Sequence, residues 1–166
     1  MITIISGTNR PHSRTLQVAQ HYFKLLQSKN IDVKLYSLEE FKSYNRDADV
    51  LTLENDLLKP SEKFIIIMPE YNGSFPGILK ALLDVTDIRS VWWYKKAMLV
   101  GVADGRGGNL RGIEHMTNIL HYLRMNVFYN KLPLSRINQE MDENGIFLEE
   151  MTVKAIAAQV NDFIDY

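Results

Sequence analysis

The chain has 166 residues, 46% of them hydrophobic and 23% charged, which is the composition of an ordinary globular protein and favours one domain spanning residues 1–166. Its 19 lysines and arginines nearly balance its 20 aspartates and glutamates, and the net charge of −1 gives no indication of a nucleic-acid or anionic-membrane partner. The chain has no cysteine, so disulfides, thiolate metal sites and cysteine nucleophiles are excluded.

The apolar start of the chain is about one strand long and lacks the basic region and cleavage site of a secretion signal. No stretch approaches the roughly 20 apolar residues that a membrane-spanning helix needs. We therefore expect a cytoplasmic protein.

Apolar runs alternate with segments of helical periodicity along the chain. In chain order the pattern predicts a strand at 2–6, a helix at about 14–28, a strand at 31–37, short helical turns over about 49–58, a strand at 64–68, a helix at 78–86, a strand at 97–103, a helix at 110–124, a strand from 127–129 towards 134, and a helix at about 149–164. Strands that alternate with helices imply a parallel sheet with right-handed crossovers. Five such units in a chain of this length predict an α/β, flavodoxin-like three-layer sandwich with a five-stranded parallel sheet of order 2-1-3-4-5.

The loop after the first strand, residues 7–15 (the first loop), carries hydroxyls at Thr8, Ser13 and Thr15 and a cation at Arg10. Ser13 stands at a predicted helix start, where free N–H groups and the positive end of the helix dipole favour an anion. Arg10 can add a charge-assisted bond. The loop lacks the motifs of nucleotide P-loops and dinucleotide folds. It fits a phosphate monoester, and it fits an ordinary helix cap about equally well.

The loop after the third strand, residues 69–77 (the second loop), reads P-E-Y-N-G-S-F-P-G. Ligands bind at the carboxyl ends of strands in open α/β sheets. Gly73 permits a positive φ angle and close approach to a flat ligand, while Tyr71 and Asn72 offer an aromatic edge and an amide. A well-formed turn with a solvated Glu70 is the alternative interpretation.

The loop after the fourth strand, residues 104–109 (the third loop), has three glycines in four positions ahead of a helix. Taken alone it is typical of an ordinary flexible loop. However, a parallel sheet places all three loops at one edge. A phosphate site beside two loops that can wrap a planar ring describes an FMN site.

The same residues resemble a known family. Gly7-Thr8-x-Arg10-x-x-Ser13-x-Thr15 is similar to the start of the NAD(P)H-dependent FMN reductases, residues 68–83 resemble their P-E-Y-N-G-S-x-P-G signature, and residues 105–108 look like their glycine-rich third loop. The resemblance implies that Thr8, Arg10, Ser13 and Thr15 bind the FMN phosphate. It implies that Pro69, Glu70, Tyr71, Asn72, Gly73 and Ser74 cradle the isoalloxazine ring. It implies that Asp104, Gly105, Arg106 and Gly107 border the pyrimidine end of the ring.

The activity implied by the resemblance is ping-pong hydride transfer from NADPH or NADH to N5 of FMN, and then to a small-molecule acceptor such as a quinone, an azo compound, a free flavin or a metal ion. The protein's part in such chemistry is to orient the cofactor and tune its electronics. We assign no side chain as an acid or base, and we expect the four histidines to lie on the surface or on helix faces. Family members pair through their third and fourth helices, which implies a homodimer or homotetramer.

Two other functions are compatible with the fold. A flavodoxin-like electron carrier is usually strongly acidic, and the net charge of −1 argues against one. A flavin-free regulatory module is disfavoured by the hydroxyls and Arg10 of the first loop. Departures from the family pattern at Ala81 and Asp104 bear on specificity, and Trp92-Trp93-Tyr94 is expected to be either an interface or core.

Overall fold

The computed structural model describes all 166 residues. One sheet contains the strands β1 (Ile2–Ser6), β2 (Val33–Ser37), β3 (Lys63–Pro69), β4 (Lys96–Val102), β5 (Asn126–Val127) and β6 (Leu132–Leu134). Every pairing is parallel, and the order is β2-β1-β3-β4-β5, with β6 also paired to β4. The predicted strand order is therefore confirmed, and β6 is a small addition to it.

Helices cover both faces of this sheet. They are α1 (Arg14–Ser28), α2 (Ala48–Leu53), α3 (Gly77–Val85), α4 (Leu110–Tyr122), α5 (Ile137–Glu140) and α6 (Glu150–Asp165), with π-helical turns at Glu54–Leu58 and Ile88–Trp92. One hydrophobic core lies between the sheet and α1 and α6, and a second lies between the sheet and α3 and α4. The flavodoxin-like three-layer fold is thereby confirmed. None of the helices combines the length and apolar character needed to cross a membrane.

The central position of β3 in the sheet explains its unbroken apolar sequence. Phe64, Ile66 and Met68 pack into the α3–α4 core, while Ile65 and Ile67 pack into the α1–α6 core, and all five are fully buried. A parallel strand covered on both faces favours a nearly continuous apolar sequence. Each such side chain contributes about 1.5–3 kcal/mol through burial, so β3 is a rigid support for the loop that follows it.

The helix starts follow from capping side chains. The Ser13 hydroxyl accepts from the Leu16 amide at 3.1 Å, as its position in the sequence predicts. In the polar segment, the Asp47 carboxylate accepts from the Val50 amide at 3.0 Å and begins α2. The helical turns expected over 49–58 are therefore present, as α2 and the π-helical turn after it.

The prediction of one strand running from residue 127 towards 134 was wrong. Ala97 pairs with Val127 and Val100 pairs with Leu132, so three steps along β4 match five steps along its neighbour. The two extra residues bulge away from the ladder. The Gln159 side-chain amide fills the gap, donating to the Asn130 carbonyl at 2.8 Å and the Leu99 carbonyl at 3.4 Å.

A buried carboxylate fastens the segment before β3. Glu54 has no exposed side-chain surface, and the Arg46 guanidinium donates to both of its oxygens at 3.1 and 2.8 Å. The Asp87 amide adds a bond of 2.7 Å, and the Lys59 ammonium lies at 3.3 Å. Burial alone would raise the pKa of Glu54, but these hydrogen bonds outweigh it and hold the pKa below its usual value.

The aromatic run at 92–94 extends from the core to the surface. Trp92 is core: it is fully buried, its ring lies 5.0 Å from that of Phe64, and its indole N–H donates to the Thr86 hydroxyl at 2.9 Å. Tyr94 is 67% exposed. Between them, Trp93 is half-buried, with the Arg124 guanidinium 4.1 Å above its ring.

Candidate functional site

The three loops meet at the carboxyl ends of β1, β3 and β4 and enclose a cavity of about 290 Å³. Its wall contains eight of the fourteen predicted site residues: Thr8, Arg10, Ser13, Thr15, Pro69, Glu70, Tyr71 and Asp104. It also contains five residues that the sequence did not single out: Pro11, Arg14, Val102, Ala103 and Ile137. Sequence motifs therefore located the cavity, while its apolar floor comes from the end of β4 and the start of α5.

A compact contact joins the first and second loops. The Thr8 hydroxyl and the Tyr71 hydroxyl are 2.7 Å apart, and the Arg10 amide donates to the Thr8 hydroxyl at 3.3 Å. The Arg10 guanidinium lies 4.2 Å from the centre of the Tyr71 ring, within the range of a cation–π interaction. The loop expected to bind phosphate and the loop expected to bind a ring are thus physically connected.

The first turn of α1 forms one side of the cavity. Ser13 and Thr15 line it with hydroxyls, and the partial positive charge of a helix N-terminus adds to the charge of exposed Arg10. Arg14 has a different role, because its guanidinium donates to the Asp142 carbonyl at 2.6 Å and the Asn138 side chain at 3.0 Å. It anchors the first loop to α5 and to the segment after it.

The tip of the second loop lies outside the cavity wall, unlike Pro69, Glu70 and Tyr71. Tyr71 and Ser74 exchange two backbone hydrogen bonds, 2.8 and 3.1 Å long, across a turn with positive φ angles of 53° at Asn72 and 74° at Gly73. Two positive φ angles are typical of a type I′ turn, and the Asn-Gly pair suits it. The expected positive φ at Gly73 is confirmed. Asn72, Gly73 and Ser74 do not line the cavity.

That tip rests on α4. The Ser74 hydroxyl is 2.9 Å from Nδ1 of His115, and a side chain added at Gly73 would lie 3.7 Å from a guanidinium nitrogen of Arg111. Arg111 and His115 are four residues apart, so they share one face of the helix. No sequence motif marks this contact, since it depends on how α4 docks. The expectation that the four histidines occupy surface or helix-face positions holds for His115, which also supports the second loop.

The third loop is only partly the flexible segment that its glycines suggested. Asp104 lines the cavity and is exposed, while Gly105, Arg106 and Gly107 are exposed but lie outside the wall. Gly108 is buried at φ 54°, and a Cβ there would stand 2.6 Å from the Pro133 carbonyl carbon. The end of the loop is therefore fixed by packing.

A larger groove of about 870 Å³ lies away from this edge, between the C-terminal parts of α3 and α4 and residues 44–46. Tyr44 and Tyr122 on its rim are 70% and 80% exposed. None of the motif-bearing loops reaches it. We therefore take the smaller cavity as the candidate active site.

Comparisons with known proteins identify the family of this chain. The sequence model of the family described as NADPH-dependent FMN reductase matches residues 1–139. The chain is 27% identical over 137 residues to an NADPH azoreductase of Bacillus sp. (strain OY1-2), covering 80% of this chain and 72% of the relative. It is 26% identical over 163 residues to a 2-hydroxy-1,4-benzoquinone reductase of Burkholderia sp, covering 92% and 88%.

Among solved structures, the flavoenzyme NAD(P)H:(acceptor) oxidoreductase FerB from Paracoccus denitrificans superposes with a TM-score of 0.80 at 23% identity, covering 99% of this chain and 95% of that one. A flavodoxin from the domain Archaea gives a TM-score of 0.62 at 16% identity over the full length of both chains. At these identities the structures show a shared fold. The family match is the stronger finding, and by it this chain belongs to the NADPH-dependent FMN reductases, oxidoreductases that use FMN and NAD(P)H.

Proposed function

We propose that this protein binds FMN in the three-loop cavity and catalyses electron transfer from NADPH or NADH to a small acceptor such as a quinone or an azo compound. The observation that carries the proposal is the Thr8–Tyr71–Arg10 contact, which joins an anion-type loop to a ring-type loop in one cavity. When bound, FMN supplies the ability to accept a hydride from a nicotinamide and to return electrons to an acceptor.

The residues present suit the two ends of FMN. Thr8, Arg10, Ser13 and Thr15 offer hydroxyls, a guanidinium and a helix N-terminus, which is the donor set that a phosphate monoester requires. Residues 69–71 offer backbone groups and an aromatic side chain for a flat heterocycle. Asp104 would border the ring, where a carboxylate disfavours additional negative charge on the cofactor and lowers its reduction potential.

The chain's own contribution to turnover is binding and orientation. We assign no side chain as an acid or base, because the cofactor itself carries the hydride chemistry. The nicotinamide and the acceptor would use the same cavity in turn. Ping-pong kinetics, with parallel lines in double-reciprocal plots, are the expected result.

We further propose that copies of this chain associate through the groove between α3 and α4, as a homodimer or a homotetramer. The groove of about 870 Å³ is lined by hydrophobic and polar residues in equal number and has two highly exposed tyrosines on its rim, and aromatic residues are enriched at interfaces. Size-exclusion chromatography with light scattering tests this. Tyr122→Asp is expected to yield monomers, whereas Tyr129→Asp, at a residue that is 75% exposed and outside the groove, is expected to leave the mass unchanged.

The decisive experiment for the function is the absorption spectrum of the purified protein before and after anaerobic addition of NADPH. We expect a flavin spectrum that bleaches on addition and returns with a quinone. A colourless protein that takes up no FMN on reconstitution would refute the proposal. Steady oxidation of NADPH by the holoprotein with a small acceptor separates an enzyme from a flavodoxin-like electron carrier, which would need a protein partner.

The site assignment has its own test. Arg10→Ala removes a charged donor whose hydrogen bonds are worth about 1.5–3 kcal/mol, so the dissociation constant of FMN should rise by about 10- to 100-fold. Arg89→Ala removes another exposed arginine, one that does not line the cavity, and is the control. Equal affinities for wild type and Arg10→Ala would contradict the placement of the phosphate.

A further inference from the structure

We propose that Asn109 is a positioning residue that fixes the second and third loops relative to each other, and that it thereby sets the affinity and reduction potential of bound FMN. The part concerning FMN rests on the proposed function. The part concerning the loops stands on the contacts of this chain alone. Asn109 itself is completely buried, so it acts through the loops and not by touching a ligand.

Both ends of the Asn109 side-chain amide are used, in two different elements. Its Nδ2 donates to the carbonyl of Met68 at 3.0 Å, and its Oδ1 accepts from the amide of Gly112 at 3.1 Å. Met68 immediately precedes the second loop, and Gly112 lies in the first turn of α4. One side chain therefore spans from the end of β3 to the start of the helix that follows the third loop.

The surroundings are shaped to admit this side chain. Asn109 adopts the left-handed region at φ 63°, which asparagine tolerates better than most residues. A Cβ at Gly112 would stand 2.2 Å from the Asn109 Oδ1, and a Cβ at Gly101 would stand 3.1 Å from the Asn109 Cβ and 2.2 Å from the Gly108 carbonyl oxygen. No side chain fits at Gly101 or Gly112, because Asn109 and its neighbours already fill that space.

A helix cap alone does not explain the residue type. Capping requires only an acceptor, and aspartate or serine would provide one. The donor half of the amide is what reaches the Met68 carbonyl, and aspartate lacks that donor. The second loop is also held by the Glu70 amide, which donates to the Val102 carbonyl at 3.0 Å at the end of β4, and by the contact of Ser74 with His115 on α4. Asn109 adds the tie that joins the start of this loop directly to the end of the third.

Asn109→Asp tests the hydrogen bond from the side-chain N–H of Asn109 to the Met68 carbonyl separately from the helix cap. It keeps the size, the left-handed backbone and the cap on Gly112, but sets a carboxylate oxygen against the Met68 carbonyl. Asn30→Asp is the matched control, because Asn30 is also in the left-handed region, at φ 57°, and lies after α1 away from the cavity. Asn109→Gly is a second variant that keeps the backbone conformation and removes both hydrogen bonds without adding a charge.

Two measurements are made on each variant. The first is the dissociation constant, visible spectrum and midpoint potential of FMN. The second is hydrogen–deuterium exchange of the apoprotein, which does not depend on flavin. For Asn109→Asp and Asn109→Gly we expect FMN binding weaker by about tenfold, a shifted flavin spectrum and potential, and faster exchange in residues 70–75 and 104–113 with unchanged exchange in α1. Asn30→Asp should match wild type throughout.

The outcomes separate the two proposals. If wild-type protein takes up no FMN, the proposed function fails, and the exchange pattern still decides whether Asn109 ties the loops. Wild-type exchange in residues 70–75 in both Asn109 variants overturns the inference. Exchange that rises equally across the whole chain also overturns it, because the residue would then act on global stability. Local exchange changes with unaltered FMN affinity and potential refute its role toward the cofactor.

Discussion

The hydroxyl of Tyr71 offers the sharpest test of how the loops cooperate. Tyr71→Phe removes the 2.7 Å bond to the Thr8 hydroxyl and keeps the aromatic ring under the Arg10 guanidinium. Thr8 is 1% exposed, so the bond is largely shielded from solvent. A hydrogen bond of this kind contributes about 0.5–1.5 kcal/mol, and the burial of Thr8 places the loss near the upper end.

The consequence for binding follows from that value. Without the bond the first and second loops separate more readily in the apoprotein, and FMN has to bring them together again. About 1.4 kcal/mol corresponds to a tenfold change in affinity, so we expect the dissociation constant of FMN to rise by about three- to tenfold. The melting temperature should fall by about 2–4 °C per kcal/mol lost. Fluorescence titration of apoprotein with FMN measures the first, and thermal unfolding measures the second.

Tyr22→Phe supplies the control. Tyr22 is fully buried and its hydroxyl donates to the Gln159 side chain at 2.8 Å, on the α1–α6 side of the sheet and outside the cavity. Tyr22→Phe also loses a phenolic hydroxyl, and it should lower the melting temperature with no change in FMN affinity. The reasoning is refuted if Tyr71→Phe binds FMN like wild type, or if Tyr22→Phe weakens FMN binding as much.

Two further substitutions test the packing and the acid stability. Gly108→Ala should lower the free energy of unfolding by about 2–5 kcal/mol, because the residue is at φ 54° against Pro133, whereas Gly105→Ala has open space and should change it by less than about 0.5 kcal/mol; urea unfolding of both compares them. The hydrogen bonds to Glu54 hold its folded pKa below the ordinary 4.5, so its contribution to stability is complete above that pH and is lost as the pH falls through the folded pKa. Glu54→Gln should therefore show a smaller loss of stability than wild type between about pH 5 and pH 2, and identical acid-unfolding curves would contradict this role.

Sequence patterns were sufficient for the strand order and for the first loop. Apolar continuity marked β3 as central, and Ser13 marked the start of α1 by a local rule of capping. Local chemistry also predicted the positive φ at Gly73. These features depend on residues near in sequence, so they can be predicted without knowing how the elements pack together.

The features that were missed depend on contacts between distant segments. The bulge between β5 and β6 follows from Gln159 on α6 reaching the gap, and the support of Ser74 by His115 follows from the docking of α4. In the sequence, Asn109 is one more residue of a glycine-rich loop, and its role becomes evident only from its hydrogen bond to the Met68 carbonyl. For the same reason, six of the fourteen predicted site residues belong to the right loops but lie outside the cavity wall.

The interruption between β5 and β6 also affects how the molecule resists aggregation. An edge strand with a continuous row of free N–H and C=O groups is a template for pairing with another chain. Here the edge is broken into strands of two and three residues, and Pro133 in the second has no N–H to donate. The sheet therefore offers little to a foreign strand on this side, and its continuous edge is β2 on the opposite side.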